Sequence, residues 1–124
     1  MAEYKVTVKE SSKELSAKER IAIKDTTNAI KLDEATQEAN LRFAPDWFAI
    51  LEIHNPKADV DVYENYIIVD KAGNKYVTGS KSFWESFKDI YDEMLGEDEE
   101  YEIEVYRVES KNYKGKQFIT CSIC

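Results

Sequence analysis

The chain has 124 residues, of which 43% are hydrophobic, and a formal net charge of −8 at pH 7. This length suits one domain that buries its core without disulfides or metal, so we expect a single domain over residues 1–124. The sequence contains no apolar run near the ~20 residues of a membrane span and no signal-peptide core after Met1. Together these features predict a cytoplasmic protein without membrane contact.

The charged side chains are unevenly distributed along the chain, and this distribution matters more than the total. Residues 1–45 are neutral, with eight basic and eight acidic side chains. Positions 97–104 hold six acids and no base, whereas residues 106–124 hold four bases and one acid. The net charge argues against a uniformly basic nucleic-acid-binding domain, but it leaves a basic C-terminal segment.

The first 45 residues carry weak and conflicting patterns. Residues 4–8 alternate like a short strand, and the capping-box spacing of Ser16 and Glu19 predicts a helix over residues 17–23. A strand over the same residues is the competing interpretation. We therefore treat residues 1–45 as an irregular N-terminal extension that precedes the main fold.

From Asp46 the patterns are stronger, and they predict three strands. Residues 47–53 are apolar on both faces, as in a central strand, and the strand ends before Pro56. Residues 62–69 and 75–78 are the second and third strands, joined by a turn that contains a glycine.

The clearest helix of the sequence follows. Ser82 and Glu85 have capping-box spacing, and Gly96 is a natural stop. Apolar side chains at helical spacing predict that one face of this helix packs in the core; they are Phe83, Trp84, Phe87, Ile90, Tyr91 and Met94.

Two alternating, β-branched runs at 100–108 and 117–123 flank a loop rich in Ser, Asn, Lys and Gly, which predicts a β-hairpin. One face of the hairpin, which we expect to be the outer one, carries Tyr106 and Phe118 next to a basic loop. Exposed aromatics next to lysines are what the binding of stacked bases and a phosphate backbone requires. Alternation assigns six side chains to the core: Tyr101, Ile103, Val105, Ile119, Cys121 and Ile123.

The element order from Asp46 is β-β-β-α-β-β, which predicts a mainly β protein, an OB-fold-like five-stranded barrel over 46–124 with one capping helix. An α+β sheet with the helix on one face gives the same order. In the barrel, nucleic acid lies across strands two and three and between the loops after strands one and four. Those loops correspond to 54–61 and 109–116 in this chain. The face carries Tyr66 and Ile68 or Tyr63 and Ile67, depending on which alternate set turns inward, with Lys75 and Tyr76 from strand three.

The run YIIVDKAGNKYV (66–77), the capped helix and the run SKNYKGKQFITCSI (110–123) resemble small single-stranded-DNA-binding proteins of tailed bacteriophages. The resemblance implies an OB-like fold and sequence-tolerant binding of single-stranded DNA during phage DNA replication or recombination, in the host cytoplasm. It also implies no catalysis, no cofactor, and phage replication or recombination proteins as further partners. We expect a homo-oligomer or a cooperative array on DNA. Many such proteins recruit replication enzymes through an acidic C-terminal tail; because this sequence ends at Cys124, directly after a predicted strand, we do not expect recruitment of that kind.

The barrel and the resemblance together predict a nucleic-acid site, with a solvated hairpin tip as the alternative interpretation. Lysine and arginine side chains would neutralise phosphates, and aromatic rings would stack on bases. The predicted basic residues are Lys75, Arg107, Lys111, Lys114 and Lys116, with Lys57 as a loop contact; the predicted aromatic residues are Tyr66, Tyr76, Tyr106, Tyr113 and Phe118.

Other constellations predict no metal site and no catalysis. Cys121 and Cys124 have C-x-x-C spacing, but residues three apart in a strand point to opposite faces, so we expect free thiols. His54, the one histidine, lacks a nucleophile at a recognisable spacing. The net charge and the acids at 97–104 favour a competing function. In this alternative the chain is an acidic phage accessory protein that binds a host or phage protein as a DNA mimic and does not bind nucleic acid.

Overall fold

The computed structural model describes residues 5–57, 62–109 and 115–124. These residues form a mainly β structure in two sheets, which confirms the predicted fold class at that level. The elements in chain order are β1 (Lys5–Ser11), α1 (Ala17–Lys24), β2 (Ile30–Lys31), α2 (Leu32–Ala35), β3 (Leu41–Phe43), β4 (Pro45–His54), β5 (Val62–Asp70), β6 (Lys75–Thr78), α3 (Lys81–Met94), β7 (Ile103–Glu109) and β8 (Gln117–Ile123).

The two sheets share one bent segment of chain. The first sheet has the order β1-β4-β5-β6-β2, and the second has the order β3-β7-β8. Only Ala44 separates β3 from β4, so residues 41–54 contribute a strand to each sheet. Among the described strands β6 does not pair with β8, so the sheets do not close into a barrel.

Helix α3 packs against both sheets. The Trp84 ring stacks on Tyr66 of β5, a strand inside the first sheet, at 4.6 Å between centroids, and Ser82 Oγ donates a hydrogen bond to the Ile119 carbonyl of β8, an edge strand of the second sheet, at 3.1 Å. The helix therefore links the inner face of the first sheet to β8. Its aromatic stripe is in the core, as predicted, with Phe83 and Phe87 fully buried.

The start of α3 differs from the prediction. Ser80, not Ser82, is the N-cap, because its hydroxyl accepts a hydrogen bond from the Phe83 amide at 3.3 Å. Spacing alone favoured Ser82, whose hydroxyl binds the sheet instead. The helix ends at Met94, and Gly96 follows the C-cap as the predicted C′ residue with φ +89°, a conformation that costs glycine little.

The main core lies between the two sheets and α3. Strand alternation directs one side of β4 and β5 toward the inner side of β7 and β8, so apolar rows from four strands meet. Its buried members are Leu32, Phe43, Phe48, Ile50, Tyr66, Ile68, Tyr76, Phe83, Trp84, Phe87, Ile103, Val105, Ile119 and Cys121.

A second core covers the reverse face of the first sheet, and residues from the N-terminal part of the chain complete it. Leu15 and Ile23 pack on a sheet surface formed by Ala49, Leu51, Ile67 and Val77. Burying a side chain such as Ile23, which is 2% exposed, contributes about 1.5–3 kcal/mol.

The prediction of an irregular N-terminal extension is therefore wrong for the described residues. Helix α1 forms as its capping box predicts, with Ser16 Oγ accepting from the Glu19 amide and the Glu19 carboxylate accepting from the Ser16 amide. β1 pairs antiparallel with β4, with Lys5 opposite His54 and Ser11 opposite Ala49.

Candidate nucleic-acid interface

The outer face of the second sheet carries the aromatic side chains that alternation placed there. Val108 lies opposite Phe118, and Tyr106 lies opposite Thr120. The Phe118 side chain is 39% exposed. Tyr106 is half-buried, and its hydroxyl shares a 2.7 Å hydrogen bond with Ser122 Oγ. We call the residues Arg42, Glu104, Tyr106, Val108, Phe118, Thr120 and Ser122 the outer hairpin surface.

The inner face of the same hairpin follows the prediction with one exception. Ile103, Val105, Ile119 and Cys121 are buried, and Tyr101 packs against this core while keeping partial exposure. Ile123 is 50% exposed, which corrects its predicted place in the core. It pairs with Ile103 at the first residue of β7, where the sheet ends.

Arg42 is a cation on this surface that the sequence analysis missed. It lies on β3 opposite Glu104, and its guanidinium approaches the Glu104 carboxylate at 3.5 Å. The Arg42 side chain keeps 57% of its exposure, so this ion pair is a weak surface contact. The alternation of Leu41, Arg42 and Phe43 was the available signal for a strand, but a three-residue strand is too short to stand out.

The basic loop of the hairpin falls mostly outside the described residues. Lys111, Tyr113 and Lys114 are among the residues that the structure does not describe. Lys116 is exposed at the start of β8, beside Gly115 with φ +80°. Lys57, in the loop after β4, is also exposed, and its amide donates to Asn55 Oδ1 at 3.1 Å.

Arg107 serves the fold, which differs from its predicted role as a phosphate ligand. Its guanidinium donates to the Asp33 carbonyl of α2, and its Nε is buried without a hydrogen-bond partner among the described residues. Helix α2 is held further by Leu32, which is fully buried in the main core. The side chain of Arg107 thus joins the second sheet to α2.

Tyr66 also belongs to the core. It is 4% exposed, and Trp84 covers one face of its ring. Burial raises the pKa of the Tyr66 hydroxyl above its ordinary value. The prediction that Tyr66 stacks on a base does not fit this placement, because a buried ring has no free face. Alternation along β5 does not show which face of the strand is buried, so the orientation of Tyr66 could not be predicted from the sequence.

Tyr76 is placed in the same way. It is 4% exposed, and its ring stacks on Phe43 with centroids 4.0 Å apart. Its hydroxyl donates to Asp70 Oδ2 at 2.7 Å. Burial and this hydrogen bond raise the pKa of Tyr76 to about 12. Base stacking is therefore excluded for Tyr76 in this conformation as well.

Lys75 fastens α1 to the first sheet. Its ammonium donates to the carbonyl oxygens of Ala22 and Asp25, each at 2.7 Å, which satisfies acceptors at the C-terminal end of the helix. The ammonium group of Lys75, which was predicted to contact a phosphate, therefore binds carbonyl groups of the same chain. Helix α1 lies over the reverse face of β4, β5 and β6, beside a cavity of about 160 Å³ lined in part by Ile23, Trp47 and Lys75.

The acidic segment after α3 is exposed, as a solvated segment would be. Glu97, Asp98, Glu99 and Glu100 are all exposed. The structure therefore places a dense negative surface in the chain segment that leads into β7.

The remaining candidate groups are separated from one another. Cys121 is buried, Cys124 is exposed, and both are free thiols. Burial raises the pKa of Cys121 to about 12, which makes it a poor nucleophile. His54 Nε2 lies 2.8 Å from a Glu52 carboxylate oxygen. No group of three or more potential metal ligands occurs in the part of the chain that the structure describes.

The described helices are also too short or too polar to cross a lipid bilayer. Comparison of the chain with known proteins finds no matching family model, no matching curated protein and no matching solved structure.

Proposed function

We propose that this protein binds single-stranded DNA without sequence preference, along the outer hairpin surface and the adjoining basic loop. The observation that carries the proposal is the exposure of Phe118 beside a half-exposed Tyr106 on one face of β7 and β8. Aromatic faces stack on any base, and each stacked base contributes about 1–3 kcal/mol.

Cations lie at both ends of this aromatic row. Arg42 is at one end, beside Glu104, and Lys116 is at the other, near Phe118. The step from Glu104 to Val108 along β7 spans about 13 Å, given the rise of a strand. Lys111, Tyr113 and Lys114 follow in the loop and extend the basic and aromatic composition. A short segment of single-stranded DNA would stack its bases on Tyr106 and Phe118, and its phosphates would lie near Arg42 and Lys116.

The fold component of the proposal is a partly open, five-stranded barrel of the OB type. Its support is the strand neighbourhood β8-β7-β3/β4-β5-β6 combined with a helix between β6 and β7. In that fold the usual binding face is formed by strands two and three, here β5 and β6. Helix α1 covers the reverse face of these strands and their inner face forms the core, so the proposal moves the DNA path to the hairpin.

The biological setting that we propose is protection of single-stranded DNA during phage DNA replication or recombination in the host cytoplasm. The resemblance of residues 62–123 to small phage proteins motivates this setting. Three or four cationic contacts give weak, salt-sensitive binding per protomer, so several copies would have to coat a strand together.

The test is fluorescence anisotropy with a labelled dT oligonucleotide in low salt. Phe118→Ala should weaken binding about 5- to 140-fold, the equivalent of one lost base stack. Val62→Ala is the matched control, since Val62 is an exposed apolar strand residue, 45% exposed, outside the proposed surface. Absence of binding by the wild type at about 50 µM, a generous excess for nonspecific binding, would refute the proposal.

The loop is tested separately. Lys114→Ala and Tyr113→Ala should each weaken binding, whereas Lys13→Ala should not. Lys13 Nζ lies 4.5 Å from the centre of the Trp47 ring, on the α1 side of the molecule. Equal losses for Lys13→Ala and Lys114→Ala would indicate a general charge effect and not a defined path.

One observation favours a second function, in which this chain is an acidic phage accessory protein that binds a protein partner. The acids at 97–100 are consecutive and exposed. A pull-down from host lysate after nuclease treatment distinguishes the two functions, with a Glu99→Lys/Glu100→Lys variant as control. A specific partner that survives nuclease and is lost with this variant, together with no oligonucleotide binding, would replace the first proposal with the second.

A further inference from the structure

Strand β1 is an edge of the first sheet. It pairs with β4, and no other described strand lies on its far side. An edge strand presents unpaired backbone N–H and C=O groups, and these groups can pair with another strand. The side chains on β1 then decide which strand fits.

The sequence of β1 is complementary to itself in the antiparallel direction. The register against β4 shifts between Val8 and Glu10, so Lys9 is an extra residue in the ladder. The remaining regular positions are 5, 6, 7, 8, 10 and 11, and the first five of them are symmetric about Thr7. Centred on Thr7, an antiparallel copy of β1 places Lys5 opposite Glu10, Val6 opposite Val8, and Thr7 opposite Thr7.

The two residues of each pair also lie on the same face of the sheet. Val6 and Val8 pair with Ile53 and Leu51, which are buried, so the valines share one face. Lys5, Thr7 and Glu10 occupy the other face, since Glu10 pairs with Ile50 and alternation places Lys5 with Thr7. Residues opposite one another across two antiparallel strands must share a face, and all three kinds of pair meet this condition.

We propose that two copies of this chain associate through β1, about a two-fold axis that passes between the two Thr7 residues. Such an interface uses the same patch on both copies, so the Lys5–Glu10 and Val6–Val8 pairs each occur twice. Opposite charges, aliphatic pairs and Thr–Thr pairs across strands are all stabilising. The two first sheets join into one continuous sheet.

Lys9 is the residue most able to prevent this pairing, because a lysine on an edge strand commonly blocks association. Its ammonium forms an ion pair with the Glu64 carboxylate of its own chain. Glu64 belongs to β5, two strands away from the edge. Lys9 is therefore directed back over its own sheet and adds no unpaired charge to the seam.

The interface is small, which predicts its strength. A ladder of about five residues per strand buries less than about 1,200 Å², and complexes below that area are usually weak. We expect a dissociation constant on the order of 10–100 µM for the free protein. The association does not depend on nucleic acid and holds whether or not the proposed DNA binding is correct.

Sedimentation equilibrium in low salt, from about 5 to 500 µM protein, tests the proposal through a charge exchange. Lys5→Glu puts two pairs of like charges in the seam and should weaken dimerisation about tenfold. The Lys5→Glu/Glu10→Lys variant restores opposite charges and should return to the wild-type constant. Lys18→Glu is the control, because it makes the same charge change on exposed α1 and should leave dimerisation unaffected.

Three results would overturn the proposal. The wild type could remain at its monomer mass of 14.4 kDa across the whole range. Lys5→Glu could dimerise as tightly as the wild type, or the double variant could fail to recover. Circular dichroism of each variant establishes that it is folded, which is expected because Lys5, Glu10 and Lys18 are all exposed.

Discussion

The Asp70 carboxylate organises the turn between β5 and β6 by accepting four hydrogen bonds. Its donors are the amides of Ala72 and Asn74, the Asn74 side chain and the Tyr76 hydroxyl. Burial opposes the charge of Asp70, but the Tyr76 and Asn74 donors outweigh it and hold the pKa of Asp70 below its ordinary value. The same contacts explain why Tyr76 faces the core and not a ligand.

The Tyr76–Asp70 contact should be measurable as stability. Tyr76→Phe removes a hydrogen bond to a buried carboxylate and should lower the free energy of unfolding by about 1.5–3 kcal/mol. Urea denaturation at pH 7 measures the change. Tyr63→Phe is a matched control on β5, because Tyr63 makes no side-chain hydrogen bond to the described residues and is half-buried. A loss for Tyr76→Phe no larger than that for Tyr63→Phe would contradict the assignment.

The lowered pKa of Asp70 also predicts a pH dependence. A carboxylate whose pKa is lower in the folded than in the unfolded state stabilises the protein above the unfolded value, near 3.9, and this stability is lost as the pH falls through the folded pKa. The stability difference between wild type and Tyr76→Phe should therefore shrink as the pH falls below about 4. Urea midpoints at several pH values measure it, and a constant difference would contradict the prediction.

At the scale of elements, α1 depends on a few contacts with the sheet. Ile23 is its buried residue, Ile21 is 67% exposed, and Lys75 binds its last carbonyl groups. Glu19 stabilises the first turn; the hydrogen bond from the Ser16 amide, then that from Lys13, lower the pKa of Glu19 to about 2. The helix is therefore held at both ends by polar contacts and in its last turn by one buried apolar side chain.

Lys75→Met should loosen α1 without affecting DNA binding. Loss of two hydrogen bonds to carbonyl groups should accelerate hydrogen exchange of the α1 amides about tenfold. Lys71→Met is the control, since Lys71 is an exposed lysine in the turn that precedes β6. Equal exchange in both variants would show that Lys75 does not hold the helix. If Lys75→Met alone weakened oligonucleotide binding, the originally predicted phosphate contact would regain support.

Local patterns predicted the elements better than they predicted their partners. The Ser16–Glu19 capping box and the stop at Gly96 depend on neighbouring residues, and both are present. β1 was missed as part of the sheet because its partner β4 lies about 40 residues away and no local pattern records that pairing. Tyr66 was left ambiguous for a related reason, since β5 is covered on both faces and alternation cannot rank them.

At the scale of the whole molecule, the net charge of −8 has opposite effects on folding and on binding. Self-repulsion destabilises the compact state, and salt screens it. Contacts between lysines and phosphates release counterions, and salt weakens them. The two effects should therefore separate when salt is varied.

Raising NaCl from 20 to 200 mM should increase resistance to urea while weakening oligonucleotide binding. For about three phosphate contacts the slope of log affinity against log salt is about −2, which means about 100-fold weaker binding over this range. Asp98→Asn/Glu99→Gln should reduce the salt dependence of stability and leave the binding slope unchanged. A binding slope near zero would indicate that lysines do not contact phosphates.

The candidate site was predictable in part from the sequence. Alternation in the hairpin was sufficient to place Tyr106 and Phe118 on the outer surface, because the alternate positions Ile103, Val105, Ile119 and Cys121 are apolar and buried. The lack of barrel closure was not predictable, because strand order alone does not determine whether β6 pairs with β8. In this fold β6 pairs with β5 and β2, and the aromatic stripe of α3 packs against the inner face of the first sheet, with Trp84 against Tyr66.

The division of the core between distant parts of the chain affects the order of events during synthesis. Ile119 and Cys121 on β8 are buried against residues that precede them by many tens of positions, such as Phe48. A nascent chain that has not yet reached β8 leaves the inner face of the first sheet uncovered, in a state prone to association. At elongation rates of about 5–20 residues per second, the roughly 40 residues from β6 to β8 keep that face exposed for several seconds.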